Sequence, residues 1–267
     1  MVARPRTRPE VKSVVVMPTA HRPEFLALAL ERLWAVPDCP DIVVVADYVS
    51  EKQREEISYV VETYGPPRTS LIFQPKHTTK PHSGTWNILQ SLRIGYAICD
   101  GPVFLVEEDV MVFPHWKRVH DDVLATGNFV ASCGRLRPAT IKYYGSLYTN
   151  PGSCLTRELL GELMPHINDE YFAGTSEYLS KTFGAGGFGG SSLDDGLIRA
   201  VIGKMGGSVA YPDKPLCAHQ GFKGYSLGFD IYANKGDIKQ KIAGLREILS
   251  RVKPGDRYCP DFEPFEY

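Results

Sequence analysis

The chain contains the stretch Val103-Phe104-Leu105-Val106-Glu107-Glu108-Asp109-Val110-Met111-Val112-Phe113, in which an apolar run leads into three adjacent carboxylates and a second apolar run follows. The first run, which follows Gly101-Pro102, is typical of a buried strand in a mostly parallel sheet. Open α/β sheets bind ligands at the carboxyl ends of their strands, so the pattern predicts a ligand site at the acids. Adjacent carboxylates repel one another, and a divalent cation, which prefers oxygen ligands, would compensate their charge. A solvated acidic turn is the alternative interpretation of the triplet taken alone.

Strands and helices alternate upstream of the acids. Short apolar runs predict strands at residues 13–18, 42–46 and 69–73. Helices are predicted between them, one beginning at Pro23, because proline suits the first helical position, and one at Ser50. This β-α-β-α-β order indicates a doubly wound α/β sheet.

The pattern downstream of the acids is less regular. A glycine-rich loop at 184–190 lacks the spacing of a nucleotide-binding loop, so we interpret it as a source of conformational freedom before the next helix. The other predicted elements are strands at 128–133 and 208–212, a helix from about 155 to 164, a helix with Asp194 and Asp195 in its first turn, a flexible loop at 217–229, and a final helix capped by Asp237.

Composition excludes several classes of protein. The 267 residues suffice for one large α/β domain, and a net charge of −1 creates no overall field that attracts nucleic acid or an anionic membrane. The six cysteines are scattered without CxxC spacing, which argues against structural zinc and favours free thiols over disulfides. No apolar run approaches the roughly 20 residues of a membrane span, and the basic N-terminus lacks a signal peptide's apolar core. We therefore predict a cytoplasmic protein with no membrane partner.

The order of these motifs resembles that of the nucleotide-sugar glycosyltransferases with the GT-A fold. The triplet Glu107-Glu108-Asp109 stands where that class carries its DXD motif. Within the class the chain looks most like the N-acetylglucosaminyltransferase that initiates complex N-glycan branching, whose corresponding strand ends in Glu-Asp-Asp. The match runs from about residue 12 to about residue 230. It implies an α/β, Rossmann-like GT-A fold: a mostly parallel central sheet flanked by helices, with a smaller acceptor-side lobe.

The resemblance implies a division of the chain into four parts. Residues 1–11 are expected to be a flexible tail and residues 254–267 a C-terminal tail. Residues 12–115 would form the nucleotide-sugar-binding half of a single domain, and residues 116–253 its acceptor and catalytic half.

The resemblance also implies roles for single residues. Asp109 matches the aspartate that binds Mn²⁺ directly, with Mg²⁺ as the alternative ion. Leu193-Asp194-Asp195 matches a Trp-Asp-Asp motif whose second aspartate is the catalytic base, so Asp195, with Asp194 beside it, is the catalytic candidate. Residues 221–226, Gly-Phe-Lys-Gly-Tyr-Ser, resemble a lid over the bound donor. The implied nucleotide-sugar contacts are Pro18, Thr19, Arg22, Asp47 (to uracil), His82, Glu107 and Glu108 (to ribose and sugar), Lys223 and Ser226.

Two assignments have alternatives. In many GT-A enzymes a histidine at the place of His219 is a second metal ligand, but the N-acetylglucosaminyltransferase supplies none, so His219 is either a ligand or a polar loop residue. Asp194 and Asp195 would suit the first turn of a helix without any catalytic role, because acids there favour the positive end of the helix dipole.

The sequence therefore predicts a metal-dependent glycosyltransferase that moves GlcNAc or a hexose from a UDP-sugar to a hydroxyl acceptor with inversion. Glu108 replaces an aspartate of the resembled family, which leaves the donor sugar open, and Leu193 replaces its tryptophan. The acceptor is a glycan, a small molecule or a modified DNA base. One alternative is transfer to a hydroxymethylated DNA base, with basic clusters near Arg6 and Arg137 meeting phosphates. The other is a non-catalytic module that binds a nucleotide sugar.

Overall fold

The structure, a computed structural model, describes residues 12–76, 83–135, 148–184, 194–220 and 236–250. Its strands are β1 (Val14–Thr19), β2 (Asp41–Ala46), β3 (Thr69–Phe73), β4 (Val103–Leu105), β5 (Val110–Val112), β6 (Ala131–Ser132), β7 (Ser153–Leu155), β8 (Val209–Ala210) and β9 (Cys217–His219). Its helices are α1 (Pro23–Trp34), α2 (Glu51–Tyr64), α3 (Ser83–Ile98), α4 (Trp116–Leu124), α5 (Arg157–Leu163), α6 (Asp169–Ala173), α7 (Thr175–Phe183), α8 (Asp194–Met205) and α9 (Ile238–Ser250).

Within the described ranges, seven strands form the central sheet, in the order β3-β2-β1-β4-β7-β6-β8. Strands β3, β2, β1 and β4 run parallel, and β7 is antiparallel to both of its neighbours. Strands β5 and β9 form a separate antiparallel pair. The predicted α/β fold with a mostly parallel sheet flanked by helices is confirmed, and the predicted early strands correspond to β1, β2 and β3.

Both faces of the sheet are covered, which explains the unbroken apolar runs of β1 and β2. Val15 and Met17 pack with residues of α1, α2 and α9 on one face, whereas Val14 and Val16 pack with residues of α3, α5 and α8 on the other. Each fully buried side chain of this size stabilises the fold by about 1.5–3 kcal/mol. Ser50 begins α2 with a capping box, in which its side chain accepts from the Gln53 amide.

The structure corrects two predicted elements. Residues 153–155 form strand β7, which pairs with β4, so the helix predicted from about 155 begins only at Arg157, after the N-cap Thr156. The predicted flexible loop at 217–229 begins with a strand, because Cys217–His219 pairs with β5. The remainder of that loop, the glycine-rich loop from 185 onward and both tails lie outside the described residues.

Two expectations from composition can be compared with the described residues. Cys39, Cys99, Cys133, Cys154 and Cys217 are free thiols there, all but Cys39 buried. None of the helices in the described ranges has the length and apolar character that crossing a membrane requires.

Gly95 lets α3 lie directly on the sheet. A Cβ atom at this position would lie 2.8 Å from Val103 Cγ1 and 2.9 Å from Val16 Cγ1, both buried in the core. Overpacking a core costs about 1–3 kcal/mol. Gly203, on α8, is the matched control, because its added Cβ would meet no atom of the described residues within 4 Å.

Both substitutions to alanine gain the same helix propensity. We therefore expect Gly95→Ala to be about 1–3 kcal/mol less stable than Gly203→Ala, measured by urea unfolding. Equal stabilities for the two variants would mean that α3 does not pack on β1 and β4 as described.

Candidate active site

The acidic triplet lies in a tight turn at the carboxyl edge of the sheet. The pairing of β4 with β1 ends where the Val106 amide donates to the Val16 carbonyl at 3.1 Å. The turn then closes where the Val110 amide donates to the Glu107 carbonyl at 3.0 Å. Val110 then starts β5 and lies opposite His219 of β9. The Gln220 amide donates to the Asp109 carbonyl at 2.7 Å. The β5–β9 pairing thus fixes the histidine beside the acids.

Two side chains of this turn and one of β9 form a candidate metal centre. Glu107, Asp109 and His219 each offer a ligand atom, and these atoms all lie within 4.8 Å of one another. His219 Nε2 lies 3.4 Å from Asp109 Oδ2, while Asp109 Oδ1 is buried without a hydrogen-bond partner within the described part of the chain. Two carboxylates and an imidazole suit Mn²⁺, and carboxylates also suit Mg²⁺. The structure therefore brings together both predicted metal ligands and adds Glu107, which the resemblance had assigned to the ribose and sugar.

The charges at this cluster are strongly perturbed. Burial, together with the nearby charges of Asp109 and Asp194, raises the pKa of Glu107 to about 8. Burial opposes ionisation of Asp109, but His219 and Arg22 outweigh it and lower the Asp109 pKa to about 2. Burial also opposes charge on His219, whose pKa is nevertheless raised by Asp109 and Glu107. A bound cation would stabilise the ionised form of Glu107, because it would offset the repulsion between the acids.

Glu108 faces the protein rather than the cluster. It accepts from Arg22 Nε at 2.7 Å, from the Ala20 amide at 2.9 Å and from the Thr19 hydroxyl. Arg22 Nη1 donates in addition to Asp109 Oδ2 at 2.7 Å. Glu108 thus joins the acidic turn to the end of β1 and the start of α1, and its predicted contact with the donor sugar stays a prediction.

The predicted nucleotide residues that the structure describes lie at the same edge. Pro18 and Thr19 end β1 opposite Val45 and Ala46, and the Asp47 amide donates to the Thr19 carbonyl at 2.9 Å. The Asp47 side chain is buried and accepts from the Tyr48 amide at 2.7 Å.

Asp194 and Asp195 begin α8 and have different surroundings. Asp194 is buried and accepts from Thr85 Oγ1 at 3.1 Å and from the Asn150 amide group. Burial and the charge of Asp195 raise the pKa of Asp194. Asp195 is 25% exposed and lies 2.6 Å from Arg199 Nη2. Asp195 is therefore the more accessible carboxylate, and Asp194 anchors the start of the helix.

The chain was compared with known proteins. No family model and no curated protein matches it. Among solved structures, a mannosyltransferase from Pyrobaculum calidifontis in complex with GDP-Man and Mn²⁺ has a TM-score of 0.53 at 17% identity, over 78% of this chain. The match spans only 56% of the mannosyltransferase. The chain has the GT-A fold.

Two further similar structures are galactosyltransferase LgtC and S. aureus TarS. LgtC, in complex with donor and acceptor sugar analogues, has a TM-score of 0.48 at 19% identity, covering 74% of this chain and 72% of its own. TarS has a TM-score of 0.47 at 14% identity, covering 90% and 71%. The finer resemblance to the N-acetylglucosaminyltransferase stays a prediction.

Some of the predicted site residues lie outside the part of the chain that the structure describes. His82, Lys223 and Ser226 lie outside the described residues, as do Leu193 and Arg137. Their roles stay predictions.

Sequence reasoning missed a buried polar network beneath the site. Asn87 Nδ2 donates to the Thr19 carbonyl at 2.9 Å, the Gln74 amide group donates to Asn87, and Trp86 Nε1 donates to Gln74 Oε1 at 3.1 Å. These bonds tie the ends of β1 and β3 to α3. The sequence signal for this network is a pair of polar residues four apart on α3, Asn87 and Ser91, and the structure shows that both are buried.

Proposed function

We propose that the protein is a metal-dependent glycosyltransferase that transfers GlcNAc or a hexose from a UDP-sugar to a hydroxyl acceptor, with inversion. The observation that carries the proposal is the cluster Glu107, Asp109 and His219 at the ligand-binding edge of a GT-A fold. The mannosyltransferase of similar fold is in complex with GDP-Man and Mn²⁺, which supports a nucleotide sugar and a divalent ion here.

The first requirement of sugar transfer is a stabilised leaving group. Glu107, Asp109 and His219 would hold a divalent cation, Mn²⁺ or Mg²⁺, which when bound neutralises the departing diphosphate. Few protein ligands are needed, since phosphate oxygens and waters complete the shell of such an ion. Arg22 places a further positive charge at the same edge, next to Asp109.

The second requirement is a base for the acceptor hydroxyl. Asp195 takes the hydroxyl proton while the acceptor oxygen bonds to the anomeric carbon, and the bond to the diphosphate breaks with its electron pair leaving on the phosphate oxygen. Attack from the face opposite the diphosphate inverts the anomeric centre. Arg199 orients Asp195, because its Nε is itself anchored on the Tyr148 carbonyl at 2.8 Å.

The donor base is assigned to uracil through Asp47. Asp47 follows the carboxyl end of β2, where its backbone amide donates to the Thr19 carbonyl, and its side chain is buried. A carboxylate can accept a hydrogen bond from the N3–H group of uracil. The adjacent residue Tyr48 is 52% exposed, and an aromatic ring can stack against a planar base.

A thermal unfolding scan with UDP, GDP, CDP and dTDP, each with and without Mn²⁺, tests this proposal. A ligand at 100 times its dissociation constant stabilises the protein by about 2.7 kcal/mol. For a chain of this size we expect a shift of about 5–10 °C with UDP plus Mn²⁺, and a smaller shift with the other nucleotides. A larger shift with GDP would overturn the uracil assignment, and no shift with any nucleotide would overturn the proposed function.

A further inference from the structure

Arg22 is fixed between two acids of the turn. Its Nε and Nη1 atoms each lie 2.7 Å from a carboxylate oxygen, of Glu108 and of Asp109. The Arg22 side chain is 20% exposed, and those of Glu108 and Asp109 are 7% and 3% exposed. Solvent therefore screens these ion pairs little. Glu108 is in turn held by Thr19 and the Ala20 amide, so the guanidinium cannot easily swing away.

Arg22 shares Asp109 with the candidate metal centre. Both Arg22 and His219 approach Asp109 Oδ2, while the buried Oδ1 has no hydrogen-bond partner among the residues that the structure describes. A cation that coordinates Asp109 must therefore either displace the guanidinium from this carboxylate or bind a few ångströms from its positive charge. Either outcome weakens the binding of the cation alone.

We propose that Arg22 is an internal counter-ion that opposes binding of the divalent cation until a nucleoside diphosphate is present. This inference rests on the proposed function, since it concerns the same cation and donor. The negative charges of the diphosphate attract both the guanidinium and the cation, so they offset the repulsion between these two positive charges. Linkage then requires that cation and nucleotide tighten each other's binding by the same factor.

The sign of one substitution distinguishes this role from ordinary support of the site. Arg22→Gln removes the competing charge, and Asp109 keeps both oxygens for the cation. We expect Arg22→Gln to bind Mn²⁺ alone at least about tenfold more tightly than the wild type, and to bind UDP in the presence of Mn²⁺ more weakly. A residue that only supports the site would weaken both when it is removed.

The experiment is a calorimetric titration of Mn²⁺ with and without UDP, on the wild type, Arg22→Gln, Arg22→Lys and Arg68→Gln. Arg68 pairs with Asp41 at the opposite end of β2, so Arg68→Gln loses the same charge far from the site and should match the wild type. Arg22→Lys keeps the positive charge near Asp109 and should bind Mn²⁺ alone within about threefold of the wild type, even if Arg22→Gln fails to fold.

Three outcomes separate the two proposals. Tighter binding of Mn²⁺ alone by Arg22→Gln, with a reduced effect of UDP, supports the counter-ion role. A second outcome is that the wild type binds Mn²⁺ with UDP, while Arg22→Gln or Arg22→Lys binds Mn²⁺ alone tenfold more weakly than the wild type does. The counter-ion role is then wrong and the proposed function stands. If no protein binds Mn²⁺ even with UDP, both are wrong.

Discussion

Asp109→Asn should weaken Mn²⁺ binding in the presence of UDP by at least about 100-fold, because changes even to groups that only support a metal ligand cost 10–100-fold. Asp109 is the shared element of the site: it contacts Arg22, it approaches His219, and its backbone carbonyl accepts from Gln220. Asparagine has the same shape but lacks the charge. Without the cation that stabilises the leaving group, turnover should also fall by about 1,000-fold. Each factor of ten in rate corresponds to about 1.4 kcal/mol of activation free energy.

The measurement is a Mn²⁺ titration followed by an assay of UDP release from a UDP-sugar. Asp122→Asn is the control, because Asp122 is an exposed acid on α4 and the substitution removes the same charge. Thermal unfolding of the Asp109 variant without ligand confirms that the fold is kept. Unchanged Mn²⁺ affinity in Asp109→Asn would show that the cation binds elsewhere.

Asp195→Asn should lower turnover by about 10²–10⁴-fold while donor binding stays within about threefold of the wild type, because general-base assistance contributes a factor of that size. The side chain keeps its shape and can still accept from Arg199, which now lies 2.6 Å away. UDP release from the donor alone, where water is the acceptor, measures the effect, and calorimetry measures donor binding.

The alternative role for Asp195 is stabilisation of the helix dipole, and a matched variant tests it. Asp169→Asn removes an exposed acid from the first turn of α6. If Asp195→Asn, like Asp169→Asn, leaves turnover intact, Asp195 is not the base. An equal loss of turnover and of donor binding would instead place Asp195 among the residues that hold the donor.

Local patterns were sufficient to predict the parallel half of the sheet. Strands β1 and β2 are buried on both faces, so their sequences are unbroken apolar runs. Such runs can be recognised as strands without knowing which strands they pair with. The acids that follow β4 could be placed at a ligand-binding edge for the same reason. The order of elements predicts a doubly wound α/β sheet, and the GT-A fold was expected from the resemblance of the motifs to those of GT-A glycosyltransferases.

The candidate metal centre depends on contacts that no local pattern contains. Strands β5 and β9 have three residues each and pair across more than a hundred residues of chain, so residues 217–219 resembled a loop and His219 was left with two interpretations. Likewise, the sequence does not show which of three adjacent carboxylates faces the protein. Thr19, Ala20 and Arg22 decide this by binding Glu108, and the turn then leaves Glu107 and Asp109 for the cluster.

The position of the cation is the most direct test of the central claim. Crystals grown with Mn²⁺ and UDP, with diffraction recorded at a wavelength where manganese scatters anomalously, would locate the ion without any assumption about the site. We predict one strong anomalous peak within about 2–2.6 Å of carboxylate oxygens of Asp109 and Glu107 and of His219 Nε2, in contact with the diphosphate. A diphosphate bound with its ion away from Asp109, or bound at another edge of the sheet, would contradict the account.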